Sequence, residues 1–151
     1  MQFNKNRKLG VNGAQISPIG YGAMSLTNFY GPCSDDQANN ILNKVLDLGI
    51  NHIDTSNVYG MGTSEKRIGV FLSKQGKQKN DLFKIATKAG IFRDPETGLR
   101  GFNNSEKHLE EELDKSLYRL GVEYVDLFYV HRRDINIPIE EVTLSLAKFV
   151  E

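Results

Sequence analysis

Asn51-His52-Ile53-Asp54-Thr55-Ser56-Asn57-Val58-Tyr59-Gly60 sets a carboxylate at the end of a short apolar run and a tyrosine a few residues later. Two further runs close in the same way. Phe83-Lys84-Ile85-Ala86-Thr87-Lys88 ends on an amine, and Val125-Asp126-Leu127-Phe128-Tyr129-Val130-His131 ends on an imidazole. Each reads as a strand that delivers a titratable group at its carboxyl end. In a parallel (β/α) barrel those ends all meet on one face, where such folds keep their chemistry. The three endings therefore point to one shared site.

The stretches between these strands carry the helical period. Ser34 or Asp35 can cap a helix whose Ala38, Ile41, Leu42, Val45 and Leu46 recur at 3.6-residue spacing until Gly49 stops it. A second helix is expected from Thr63, with Ile68, Phe71 and Leu72 inward and Gly76 at its end. A third follows Ser105, with Leu109, Leu113, Leu117 and Leu120 as its core stripe up to Gly121. Pro138 suits the first turn of a fourth, ahead of Val142, Leu146, Phe149 and Val150.

Earlier in the chain, Leu9-Gly10-Val11-Asn12-Gly13-Ala14-Gln15-Ile16 reads as a hairpin turning on Asn12-Gly13 in a type I′ turn. Residues 19–25 would hold the first core strand and its outgoing loop. Residues 89–104 read as a long loop around the turn signal Asp94-Pro95-Glu96-Thr97-Gly98. The predicted fold is α/β, of the (β/α)8 TIM-barrel type, built here as a hairpin plus about four βα units. A complete barrel has eight such units and about 250 residues. The chain of 151 residues is thus expected to be a half barrel, forming one domain over residues 1–151.

Composition narrows the function. Basic and acidic residues number 19 each, so no net charge favours nucleic acid or an anionic membrane. Cys33 is the single cysteine, which excludes an internal disulfide and suits a reducing compartment. The N-terminus, Met1-Gln2-Phe3-Asn4-Lys5-Asn6-Arg7-Lys8, is polar, and no apolar run reaches membrane-spanning length. A cytoplasmic location is the expectation. No two histidines have zinc-like spacing, so no metal is assigned.

Asp54, Tyr59, Lys88 and His131 make chemical sense as a set. A phenol is a weak acid at neutral pH, and an adjacent ammonium such as Lys88 favours its ionised form. Asp54 would keep Lys88 charged and oriented, and His131 would hydrogen-bond the oxygen of a substrate carbonyl. Singly, each residue reads as a loop cap, a rim aromatic or a solvated strand end; only the joint spacing supports catalysis. A carbonyl activated in this way needs an electron pair that no side chain supplies, so hydride would come from a nicotinamide or similar cofactor. Gly20-Tyr21-Gly22 and Gly60-Met61-Gly62 both fall short of a Rossmann fingerprint.

Five segments together give the sequence a clear likeness: Ile19-Gly20-Tyr21-Gly22-Ala23-Met24, Asp54-Thr55-Ser56-Asn57-Val58-Tyr59-Gly60, Ser64-Glu65, Ile85-Ala86-Thr87-Lys88 and Asp126-Leu127-Phe128-Tyr129-Val130-His131-Arg132. The chain resembles the N-terminal half of an aldo-keto reductase. That resemblance implies an oxidoreductase that transfers hydride from NADPH to an aldehyde or ketone. It makes Tyr59 the proton donor, Lys88 its charged neighbour, Asp54 the partner of Lys88 and His131 the carbonyl-orienting group. Gly22, Ala23 and Met24 would lie near the nicotinamide, and Asp54 would reach its ribose. The family's phosphate grip belongs to its second half, so this chain alone is expected to be inactive. The alternative is a non-catalytic half barrel that self-associates through open barrel edges or serves as a binding subunit.

Overall fold

The computed structural model describes residues 6–76, 79–94 and 96–150. It opens on an antiparallel hairpin, β1 (Arg7–Lys8) and β2 (Gln15–Ile16), with Arg7 opposite Ile16. The hairpin is as expected, but its turn is not. Positive φ falls on Gly10 rather than on Asn12 or Gly13, and the Leu9 amide donates to the Ala14 carbonyl at 2.9 Å. The loop is too long for a two-residue type I′ turn. Gly13 serves instead for close approach, since a Cβ there would stand 1.7 Å from the Leu9 carbonyl oxygen.

Strand β3 (Tyr21–Gly22) leads into a 3-10 helix, Ala23–Leu26. Helix α1 (Asp35–Asp47) starts at Ser34, whose hydroxyl accepts from the Gln37 amide while the Gln37 side chain accepts from the Ser34 amide. This reciprocal cap satisfies two donors that a helix start otherwise leaves bare. Gly49, at φ 73°, turns the chain into β4 (His52–Asp54). Helix α2 (Thr63–Ser73) follows, then a short helix α3 (Lys79–Leu82) that the sequence pattern does not announce, and then β5 (Lys84–Ala89).

Residues 89–104 are not the plain loop expected. Ile91–Arg93 (β6) and Arg100–Phe102 (β7) pair as an antiparallel hairpin. Asp94 holds its tip, accepting from the Glu96 and Thr97 amides, while Pro95 lies outside the described residues. Helix α4 (Glu106–Leu120), β8 (Leu127–Val130) and α5 (Ile139–Lys148) complete the order.

Strands β3, β4, β5 and β8 form one parallel sheet in that order. Because side chains alternate along a strand, Ile53, Ile85, Phe128 and Val130 face the helices, while Asp54, Lys88 and Tyr129 face the other way. Leu42, Ile68, Phe71, Leu72 and Leu120 close over the helix-covered face and are buried. Each such side chain contributes roughly 1.5–3 kcal/mol relative to exposure. A second, smaller cluster joins Ala89, Leu109 and Val142 beneath α4 and α5. In the leucine stripe of α4, Leu109 and Leu120 are buried, whereas Leu113 and Leu117 are half-buried in a groove shared with Phe149 of the α5 end. No described helix is long and apolar enough to cross a membrane.

Candidate active site

The register of the sheet brings the strand ends level. Gly22 sits beside Asp54, the last residue of β4, and Lys88 sits beside Tyr129 near the end of β5. His131 follows β8 directly, its amide donating to the Ala89 carbonyl at 2.7 Å. Tyr59 comes from the loop after β4. Three successive residues at positive φ, Gly60, Met61 and Gly62, then turn the chain into α2. Met61 holds this conformation without being glycine, and the Tyr59 carbonyl accepts from the Ser64 amide at 3.3 Å.

Lys88 is the hub. Its Nζ donates to the Asp54 carboxylate, to the Thr55 carbonyl at 2.8 Å and to the Tyr59 hydroxyl oxygen at 3.2 Å. An ammonium has three donors, so all are taken and the side chain is fixed in one orientation. Nζ also lies 4.8 Å from the centroid of the Tyr59 ring. The rings of Tyr59 and His131 meet edge to face at 5.7 Å between centroids. Ser56 Oγ lies 3.0 Å from His131 Nδ1, which leaves Nε2 as the ring's other polar atom. Burial pushes the His131 pKa below its ordinary value, and the neighbouring charges of Lys88 and Arg132 push the same way.

The structure thus gathers all four residues of the predicted set: Asp54, Tyr59, Lys88 and His131. Tyr59 and His131 also line an open cleft of about 690 Å³, together with Met24, Phe102 and Arg132. Of the other residues singled out in sequence, Gly22 borders Asp54 with open space where a Cβ would stand. Ala23 is fully buried in the core, where its carbonyl accepts from Ser64 Oγ. On β6, Phe92 meets the His108 ring edge to face and lies against Gly101, its partner across the β6–β7 pair. Cys33 is buried. Among the described residues, no group of three or more His, Cys, Asp or Glu side chains is placed to hold a metal ion.

Sequence reasoning assigned no role to two contributors, although both lie in segments that carry the likeness. Ser56 lies inside the stretch that decides the fold, but its partner His131 is 75 residues away. Glu65 is fully buried and joins three elements, accepting from Thr87 Oγ1 on β5 and from Arg119 Nε on α4, each at 2.6 Å. It anchors the start of α2, and with it the loop that presents Tyr59.

Residues 18–151 match the aldo/keto reductase family, and the chain belongs to it. It is 40% identical over 145 residues to an NADP(+) aldo-keto reductase of Schizosaccharomyces pombe, covering 96% of this chain and 42% of that protein. It is 44% identical over 113 residues to the L-glyceraldehyde 3-phosphate reductase of Escherichia coli, covering 74% of this chain and 32% of that one. Among solved structures, the holo form of an aldo-keto reductase from Bacillus halodurans superposes with a TM-score of 0.82 at 30% identity, covering 96% of this chain and 46% of that chain. A glycerol dehydrogenase from Gluconobacter oxydans superposes at 0.79 with 29% identity, covering 99% and 46%. The chain spans less than half the length of these relatives. They have the barrel of which its four-stranded sheet is a part.

Proposed function

We propose that this chain contributes the carbonyl-activating part of an NADPH-dependent reductase of aldehydes or ketones. The observation that carries the reading is the saturated Lys88 ammonium, fixed by Asp54 and Thr55 and donating to the Tyr59 hydroxyl oxygen. Tyr59 gives its proton to the carbonyl oxygen, and the Lys88 charge stabilises the phenolate left behind. His131, neutral at physiological pH, donates from Nε2 to the same oxygen while Ser56 holds Nδ1. When bound, the nicotinamide supplies the hydride that reduces the carbonyl carbon. The residues present fit such a cofactor: glycine at position 22 leaves a ledge open, and Lys88 takes only one Asp54 carboxylate oxygen, so the other is a ready acceptor for a ribose hydroxyl. The NADP(+) in the name of the fission yeast relative supports the choice of NADPH.

The test is NADPH consumption with a short aldehyde by the protein that carries this chain, before and after Tyr59→Phe. Loss of roughly 100-fold or more in kcat is expected from removing a positioned general acid. An unchanged rate would sink the assignment. The 151-residue chain by itself is expected to give no turnover, because in such barrels the phosphate site typically follows strands seven and eight. A second reading, self-association, is favoured by β3 and β8 each having one hydrogen-bonded neighbour among the described residues. Light scattering showing only monomer would exclude it.

A further inference from the structure

Arg93 and Arg100 stand directly opposite each other across the β6–β7 pair, and both line the cleft that holds Tyr59 and His131. Like charges facing each other on an antiparallel pair are destabilising. Both side chains are exposed, so solvent screens them in part, but among the described residues neither guanidinium makes an ion pair, and the nearby Asp94 Oδ1 is engaged by the turn amides and Thr97. Arg132, next to His131, lines the same cleft and is also without an ion pair among the described residues. Outside the cleft, Arg67 pairs with Asp35 and Arg119 with Glu65, while Arg7 and Arg133 make no ion pair among the described residues. Among the described residues, no acidic side chain lines the cleft.

We infer that Arg93, Arg100 and Arg132 form an anion clamp beside the carbonyl-activating group, so that the substrate is a carbonyl compound bearing a phosphate. This rests on the reductase reading and narrows its substrate class. Three guanidinium groups suit a phosphate dianion with several acceptor oxygens, and arginine forks bind such groups through paired hydrogen bonds. At His131 burial and then Lys88 disfavour the imidazolium most, and the field of Arg132 and Arg100 adds to them. A bound phosphate would neutralise that field and relieve the Arg93–Arg100 repulsion at once.

Nuclear magnetic resonance of the 151-residue chain at low ionic strength tests this without turnover, reading the arginine Nε–H signals and the His131 ring. The probes are glyceraldehyde 3-phosphate, glyceraldehyde, inorganic phosphate and NADP+. Glyceraldehyde 3-phosphate is expected to move the signals of all three arginines and of His131, and to bind roughly tenfold or more tightly than glyceraldehyde. The double variant Arg93→Gln/Arg100→Gln should lose that preference while its amide spectrum stays folded. Equal affinity for the two aldehydes, or a preference that survives in the double variant, overturns the clamp and leaves the reductase reading intact. Movement of the arginines by NADP+ but not by inorganic phosphate also overturns it, assigning them to the cofactor. If glyceraldehyde 3-phosphate moves the arginines but not His131, the carbonyl site is the part that fails, and the substrate assignment falls with it.

Discussion

Ser56 Oγ and His131 Nδ1 are 3.0 Å apart, although 75 residues separate them in the chain. The alternative acceptors for this hydroxyl, the Lys88 carbonyl and Asn57 Oδ1, are each at 3.3 Å. A hydroxyl that donates to Nδ1 keeps the proton of a neutral imidazole on Nε2. That tautomer is the one able to donate to a carbonyl oxygen. With Ser56 as the donor, we propose it as a positioning residue for His131.

Ser56→Ala is expected to leave His131 as a mixture of tautomers, visible in the ring nitrogen chemical shifts, and Ser56→Thr to retain one. A single Nε2–H tautomer in the alanine variant would remove Ser56 from the site. In a reducing assay the alanine variant should lose roughly 10–100-fold, in line with other groups that orient a functional imidazole from behind.

His131 also gives a pH dependence with a defined sign. Burial, followed by the charges of Lys88 and Arg132, lowers its pKa in the folded chain. The unfolded chain takes up its proton as pH falls through about 6.5, while the folded one resists. Between those values the unfolded state binds more protons, so stability falls as pH falls and rises as pH rises. Urea midpoints measured from pH 7.5 to 5 should decline more steeply for the native chain than for His131→Gln. Parallel slopes would contradict the depressed pKa.

The buried ion pair at Glu65 predicts a large structural effect. Its carboxylate is fully buried and accepts from Arg119 and Thr87. Removing one partner of a buried pair strands the other and costs about 3–5 kcal/mol. Glu65→Ala should fall in that range by urea denaturation, and Glu65→Gln, which keeps the acceptor oxygen, should cost less. A loss under about 1 kcal/mol for the alanine variant would show that water reaches Arg119 freely.

The sequence carried the strand ends well, for a topological reason. Asp54, Lys88 and His131 each close an apolar run, and a parallel sheet brings such endings together whatever the chain does between them. The β6–β7 hairpin was hidden because Ile91-Phe92-Arg93 and Arg100-Gly101-Phe102 are too short to show a period of two. The type I′ expectation failed because Asn12-Gly13 supplies turn chemistry without fixing where the strands stop. Ser56 with His131, and Glu65 with Arg119, were invisible as pairs, since only the folded chain shows which polar groups meet across 75 and 54 positions.

Gly69 gives a prediction in which local propensity and packing have opposite signs. It lies inside α2, where alanine would ordinarily stabilise a helix by about 1 kcal/mol. In the folded chain, however, a Cβ at this position would stand 2.2 Å from the Arg119 carbonyl oxygen and 3.0 Å from that of Leu120. Those atoms are backbone at the end of α4, so they cannot swing aside as a side-chain tip could. Moving α4 would also disturb the Arg119–Glu65 pair beneath it. Gly69→Ala should therefore destabilise the chain by roughly 1–3 kcal/mol, the usual cost of overpacking. The same change should raise the helicity of an isolated peptide spanning residues 62–75. Urea denaturation of the chain and circular dichroism of the peptide measure the two effects separately. A stabilised Gly69→Ala chain would mean that α2 and α4 pack less closely than the structure shows.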